Sequence, residues 1–565
     1  MDYRHINVYL DKKNKKNKLN LLSFLQVFSF FNIKHLLFIY YGYFFKVSVL
    51  SLNSYTDKFI FLNDVRDFNN EIIIFKYTRV NESLIKTLTF HKIKYVDVIY
   101  TSSDSSLFYQ NLVKSTILHP NSEKFYINLY RILKSTEFSN TKNVKDYIKN
   151  LFQNSKNYDL SDTGRFRLNQ KLNIYIPKQV RLVTIVDILL AVKLLIKLYS
   201  NKSFYYLDDI DDLSVKRIKS TGSIILNQFK IGLVKTERSI KERLVFFNIS
   251  LEILNLQKLI YPKNITVTLK DFFARSPLSQ FMDQVNPLSE ITHKRRLTSL
   301  GPGGLNRDRA SFEVRDVHSS YYGKICPIET PEGPNIGLIS SLSLYAKIDH
   351  LGFITTPYIN IKKNNKHNEN GSIVRLNAID EYKFKIMQFC NIKNLSELNN
   401  VIVRYKNHFT KVNINLIDFA DVSSRQIISI ATALIPFIEH NDANRSLMGS
   451  NMQRQGVPLT IPSKPLVGTG LEGKVIRESK NILFSKNSGC VIYVDSNKII
   501  VKGGLNIHIY KLLKFMKSNS ATCYTQNPIV KKNEIIFEGQ PICDGPSSND
   551  GILALGHNVL VGFMP

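Results

Sequence analysis

Between Ile325 and Ile339 the chain reads ICPIETPEGPNIGLI, with three prolines and two glycines in fifteen residues. Proline removes a backbone donor and fixes φ, and glycine weakens helix and strand alike, so no regular element runs through this stretch. The expectation is a stiff, irregular wall that positions one or two polar groups. Glu329 and Glu332 lie three apart within it. With no His or Asp nearby as a third ligand, a carboxylate metal site is the weaker reading. A chain of 565 residues is also too long for one core and predicts roughly three to four domains around such a segment.

Just upstream stands HKRRLTSLGPGGLNRDR, His293 to Arg309. A Walker loop needs GxxxxGK followed by Ser or Thr, and a dinucleotide turn needs GxGxxG. GPGG has neither spacing, and Pro302 removes a donor that a phosphate nest would use. What remains is a glycine turn flanked by His293, Lys294, Arg295, Arg296, Arg307, Arg309 and Arg315, against only Asp308 and Glu313. A planar guanidinium suits phosphate oxygens, so this density reads as a clamp on a nucleic-acid backbone; the bland alternative is a solvated loop with local ion pairs. FIEHNDANRSLMGSNMQRQGVP (437–458) sets Asn441, Asn444, Asn451, Gln453 and Gln455 around Arg445 and Arg454. Amides beside arginines suit sugars, base edges and phosphates together, and otherwise make a polar helix end.

The formal net charge of +30 calls for a polyanion or an acidic partner. The chain is rich in Lys, Asn, Ile, Phe and Tyr and lacks Trp. An AT-rich genome produces that bias by itself, so arginines in motifs weigh more than lysines in general. Cys326, Cys390, Cys490, Cys523 and Cys543 are scattered without CxxC pairs, which argues against a disulfide framework or zinc knuckle. Residues 21–45 are apolar enough to raise a membrane span. Lys34 and His35 interrupt them, favouring a buried helix followed by a strand.

Along the chain, DKKNKKNKLN (11–20) reads as a solvated, disordered basic start. Residues 20–115 read as strands with one or two helices, and 118–245 as helical. LVTIVDILLAVKLLIKLYS (182–200) predicts a core helix beginning near Thr184 and Asp187. In 224–244 the spacing puts Ile225, Phe229, Leu233, Ile240 and Leu244 on one face and Lys230, Lys235, Arg238, Lys241 and Arg243 on the other. KKNNKHNENGS (362–372) is a polar low-complexity loop.

Taken together, SPLSQFMDQVNPLSEITHKRRLTSLGPGGLNRDRASFEVRDVHSSYYGKICPIETPEGPNIGLISSLSLYA (276–346) resembles the signature core of the β subunit of bacterial-type, multisubunit DNA-directed RNA polymerase. The similarity continues in 158–172, 208–244, 437–458, KPLVGTGLE (464–472) and DGPSSNDGILALGHNVLVGFMP (544–565). It implies an α+β, multidomain architecture of protrusion, lobe, fork and the start of a hybrid-binding domain. The expected division is a divergent, shortened protrusion and lobe region at 1–117, a lobe-like helical region at 118–250, and a fork region at 251–346. A variable connector would follow at 347–418, and the start of the external and hybrid-binding domains at 419–565.

By resemblance, His293, Arg296, Arg307, Pro331, Glu332 and Asn335 would lie along the RNA–DNA hybrid. Arg445 would reach the incoming nucleotide's triphosphate, with Asn451, Arg454 and Gln455 beside it. Gln280, Phe281, Asp283, His293, Arg296, Thr298, Leu300 and Ile339 match the rifamycin pocket, with Thr298 where serine is usual. The implied activity is template-directed RNA synthesis from the four ribonucleoside triphosphates, only within a complex with β′, α and sigma-type subunits. The catalytic magnesium belongs to β′, with no cofactor on this chain and no membrane partner.

Departures shape the rest. Tyr321 stands for a usual His and Asn441 for a usual Asp, the first hundred residues are faintly family-like, and the resemblance stops at GFMP (562–565). The expectation is a fragment or a split-gene product, inactive alone. The rival is a non-catalytic nucleic-acid-binding relic or assembly scaffold; an open frame encoding the family's continuation separates the two. Composition and shortening point to a plastid of the apicomplexan kind, with a bacterial or endosymbiont cytoplasm as the alternative.

Overall fold

The computed structural model describes residues 7–9, 18–20, 44–49, 51–52, 59–67, 71–76, 78–100, 146–147, 150, 154–155, 158–200, 209–250, 260–361, 372–388, 400–504 and 506–564. Nearly all of the 21–45 and 362–372 stretches lie outside them. No helix among the described residues is long and apolar enough to cross a membrane. Of the basic start, Lys18–Asn20 is a strand paired antiparallel with Asn7–Tyr9, so that end of the run is not the disordered coil its charge predicts. A short backbone ladder forms there despite the lysines.

The chain divides into two compact units, Met1–Leu207 and Asp208–Pro565. In the first, β1 (Phe44–Ser48), β2 (Phe59–Phe61) and β3 (Tyr95–Tyr100) form a sheet of order β1-β3-β2, with helix α1 (Glu82–Phe90) between β2 and β3 in the chain. The alternation of YVDVIY sends Val96 and Val98 into a core shared with Ile85 and Leu88 of α1. Helix α2 (Ser161–Leu172) is tied to α3 (Ile185–Ser200) by Arg165. Its guanidinium, fully buried, donates to both Asp187 oxygens at 2.9 and 2.8 Å and to the carbonyls of Val180 and Leu182. Thr184 N donates to Asp187 at 2.8 Å, which starts α3 where its Thr–Asp spacing predicts. The apolar stripe of α3 is only partly a core: Leu189 and Val192 are buried, while Val186 and Leu195 are half exposed.

The second unit opens with α4 (Thr221–Ser250), packed on α5 (Lys263–Arg275). Its seam is not the bulky stripe expected from spacing, because Phe229 and Leu233 are 40% and 45% exposed. The contact runs along Gly232 and Thr236 instead. A Cβ on Gly232 would sit 2.7 Å from Thr268 Oγ1 and 3.0 Å from Ile265 Cα. Small residues let the helices approach closely, and the larger side chains are displaced outward.

Helix α6 (Pro287–Lys294) leads into β4 (Arg296–Thr298), which pairs antiparallel with β5 (Ile339–Ser341). Between them residues 299–338 carry only one-turn helices, as the Pro/Gly density requires. Beyond lies a seven-stranded sheet of β6 (Lys347–Ile348), β7 (Ile354–Asn360), β8 (Ile373–Asn377), β9 (Ile386–Met387), β10 (Asn400–Tyr405), β11 (His408–Asn413) and β12 (Phe419–Asp421). Its order is β6-β7-β12-β9-β10-β11, with β8 on β7 and only β9–β12 parallel.

The sheet grips the base of the irregular segment through charge. Lys324, fully buried, donates to Glu381, which also accepts from Arg404 at 3.2 Å and from the Tyr358 hydroxyl at 3.0 Å. Tyr322 donates to Asp421 at 2.6 Å, and the Arg404 guanidinium lies over the Tyr322 ring. Two cations and two anions balance, the condition under which such a cluster tolerates burial. Helices α7 (Ala443–Gln455) and α8 (Glu472–Ser479) follow, then a four-stranded antiparallel sheet of β13 (Gly489–Val494), β14 (Lys498–Gly503), β15 (Asn506–Lys511) and β16 (Ile535–Ile536) in order β15-β14-β13-β16. Leu288 and Ile291 of α6 share a core with Val475 and Ile476 of α8, which fixes α6 rigidly.

Candidate nucleic-acid interface

The site is organised by Asn286. Its Oδ1 accepts from Ser289 N at 2.8 Å, Ser289 Oγ accepts from Asn286 N at 3.2 Å, and Pro287 occupies the first helical position, completing the cap of α6. The same side chain's Nδ2 donates to the carbonyls of Gln453, Arg454 and Gly456 at 3.1, 3.3 and 2.8 Å. One asparagine thus begins α6 and closes α7, bringing the Arg454–Gln455 turn to the start of the α6 loop.

At the other end of α6, His293 Nδ1 accepts from Asp283 N at 3.0 Å. That bond places the proton on Nε2, which donates to Gln280 Oε1 at 3.1 Å. Burial, then the neighbouring Arg296, pushes the His293 pKa down, so the ring is neutral at physiological pH. His293 therefore contributes geometry to the basic run, and not charge.

The arginines divide by role. Arg315 donates to the carbonyls of Pro334 and Ile336 at 2.8 and 2.9 Å and to Arg307 O at 3.4 Å, stapling the irregular wall. A Cβ on Gly337 (φ +71°) would lie 2.4 Å from Arg315 O, so only glycine allows this approach. Arg295 turns inward to Ser343 O and Leu344 O. Lys294 pairs with Glu290 at 2.9 Å. The clamp expected from seven basic residues is thus thinner: carbonyls occupy two of its arginines, Lys294 has an ion-pair partner, and His293 is neutral. Arg307 and Arg309 are exposed, and Arg296 is half-buried. In the glycine knot the backbone donors close the loop on itself, Gly304 N to Gly301 O and Leu305 N to Ser299 O, both at 2.9 Å.

A cavity of ≈ 680 Å³ opens between Asp283, Pro331 and Glu332 on one side and Asn451, Arg454 and Gln455 on the other. A second, of ≈ 200 Å³, is lined by Arg296, Glu329, Ile339 and Arg454 among others; Pro331 and Arg454 border both. The structure thus gathers Arg296, Pro331, Glu332, Asn451, Arg454, Gln455, Asp283 and Ile339, with His293 and Gln280 attached through hydrogen bonds. Thr298 pairs with Ile339 across β4–β5. Phe281 is 93% exposed. Leu300, Arg307 and Asn335 belong to neighbouring loops and do not line either cavity. Arg445, exposed in the first turn of α7, lines neither cavity itself, but its Nη1 lies 3.5 Å from Sδ of Met448, which lines the larger one.

Sequence reasoning missed several participants, Asn286 among them. Ser520 and Thr522 line the larger cavity from a distant loop, anchored by Ser520 Oγ to Gln284 N at 3.3 Å and Thr522 Oγ1 to Gln284 O at 3.2 Å. Nothing in their local sequence signals that contact. Glu329 was legible only as half of a carboxylate pair; it is 2% exposed and faces arginines. Among the described residues no group of three or more His, Cys, Asp or Glu side chains is placed to hold a metal.

Three stretches match domains of one family: residues 52–219 match RNA polymerase Rpb2, domain 2, residues 280–348 match domain 3, and residues 484–565 match domain 6. The DNA-directed RNA polymerase subunit beta of Methylacidiphilum infernorum is 41% identical over 550 residues, 92% of this chain and 42% of the relative. That of Rickettsia prowazekii is 42% identical over 514 residues, 89% and 37%, and that of Porphyra purpurea 43% over 479 residues, 84% and 42%. The chain therefore spans about two fifths of the length of these relatives. The domain 3 match covers α6 and the irregular wall, and the matches to these relatives cover 84%, 89% and 92% of the chain; on that sequence evidence the chain belongs to the β-subunit family of DNA-directed RNA polymerase.

Proposed function

We propose that this chain forms the wall of a transcription channel, acting with β′, α and sigma-type subunits in DNA-templated RNA synthesis from ribonucleoside triphosphates. The observation that carries the reading is the convergence of Arg296, Pro331, Glu332, Asn451, Arg454 and Gln455 on adjoining cavities. Phosphoryl transfer demands positioning and neutralisation of charge, which guanidinium and amide groups supply. In this reading His293, Arg296, Arg307, Pro331, Glu332 and Asn335 track the hybrid. Arg445, against Met448 at the rim of the larger cavity, addresses the incoming triphosphate. The catalytic magnesium is assigned to β′. The Lys-, Asn- and Ile-rich composition supports a plastid origin.

Reconstitution with the remaining subunits tests this. Arg296→Ala and Arg445→Ala each slow nucleotide addition by about tenfold or more while assembly is unchanged; wild-type elongation kinetics remove the residue from the site. The rifamycin pocket belongs to the same proposal. Thr298 is exposed on β4, its Oγ1 accepts from Leu300 N at 3.2 Å, and its methyl crowds a ligand where serine would not. Weaker rifamycin inhibition than for Thr298→Ser is the expected titration result.

A further inference from the structure

The smaller cavity encloses a charge arrangement that the reading above does not use. Glu329 is 2% exposed, and neither carboxylate oxygen has a hydrogen-bond partner among the described residues. Its nearest cation is Arg454, whose Nη1 lies 3.9 Å from Oε1, beyond hydrogen-bond length. Arg454 is held instead by Asn451 Oδ1, and Asn451 Nδ2 donates to Thr330 O at 3.4 Å. Arg295 and Arg296 also feel the Glu329 charge, and Arg296 is repelled by Arg454. Of the three guanidinia only Arg295 is tied down by carbonyls. Arg296 and Arg454 both line the cavity. Without Glu329 the two would repel each other across a partly desolvated space.

We propose that Glu329 is a positioning residue, whose buried carboxylate holds Arg454 and Arg296 side by side through charge and not through fixed hydrogen bonds. The pair stays together in the empty groove, yet each guanidinium keeps donors for a phosphate of bound nucleic acid. The phosphate half of this inference rests on the channel-wall reading; the positioning half does not.

The two halves have separate readouts on the full chain. Phenylglyoxal modification of Arg454, followed by peptide mass spectrometry, reports positioning with no nucleic acid present. Glu329→Gln accelerates it severalfold, and an unchanged rate overturns the proposal. Binding of a fluorescent short RNA–DNA hybrid across a salt series reports the phosphate half. Loss of a negative charge alone would tighten binding and steepen the salt dependence. Mispositioned arginines weaken binding roughly five- to tenfold and make the log–log salt slope shallower by about one, the loss of one phosphate contact. Tighter binding by Glu329→Gln overturns the proposal. Hybrid binding absent in the wild type sinks the channel-wall reading, while the modification rate still judges Glu329. Glu329→Asp keeps the charge but withdraws it by one methylene, so it shows both changes in smaller measure. Should Glu329→Gln not fold, Arg454 reactivity raised in Glu329→Asp supports positioning, and a wild-type rate overturns it.

Discussion

Two titratable side chains behave against their usual sign, and each makes a prediction. Burial lowers the His293 pKa, and its Nδ1 already accepts the Asp283 amide. Folding therefore favours the neutral ring. The stability it lends is complete above the ordinary value near 6.5 and is lost as pH falls through the folded value. An NMR titration of labelled histidine should place the His293 midpoint below 6.5; a midpoint at or above it contradicts the assigned hydrogen bonds. Asp421 moves the other way, pushed up to about 6 by burial, with Tyr322 and Arg404 only partly offsetting it. Ionised at neutral pH, it opposes folding, so its contribution improves as pH drops from above 6 toward 4. In urea denaturation the Asp421 contribution should improve by about 1–3 kcal/mol between pH 8 and pH 5, and Asp421→Asn should remove that improvement. Neither shift is visible in sequence, because both arise from what distant segments bury. The Asn–Pro–Leu–Ser cap around Asn286, by contrast, is local and readable.

At the scale of elements, the two-ended role of Asn286 is the joint of the site. Asn286→Ala removes a cap and leaves three carbonyls of the α7 terminus without that donor. The expected cost is about 2–3 kcal/mol in equilibrium unfolding. Asn286→Asp keeps the cap acceptor but loses the donors, so it should disturb hybrid binding more than the cap. The α4–α5 seam shows why helix existence was legible while the packing face was not. Periodicity marks bulky residues such as Phe229 and Leu233, whereas the observed contact uses Gly232, Thr236 and Thr268, which a hydrophobic stripe does not count. Gly232→Val should destabilise by about 1–3 kcal/mol through overpacking against Ile265 and Thr268. The irregular wall expected at 325–339 was readable, up to the strand that starts at Ile339, because proline and glycine exclude regular structure. Its staple was not, since Arg315 looks in sequence like one more phosphate-binding arginine.

For the whole molecule, the +30 charge and the site are separate matters. Diffuse lysine attraction is sequence-independent and fades with salt, while a built wall places contacts at defined atoms. The residues that converge come from the segments flanking α6, the irregular wall, α7 and the 520–522 loop, the first and last more than two hundred residues apart along the chain. Motif spacing announced the first three, and only the fold reveals that they share a groove. Photocrosslinking decides between wall and diffuse attraction. An RNA–DNA hybrid with 4-thiouridine at the RNA 3′ end, bound to the full chain near physiological salt, should crosslink to peptides covering 280–296, 329–335 and 448–455. Crosslinks spread over the lysine-rich remainder, with none in those three segments, would contradict the channel wall.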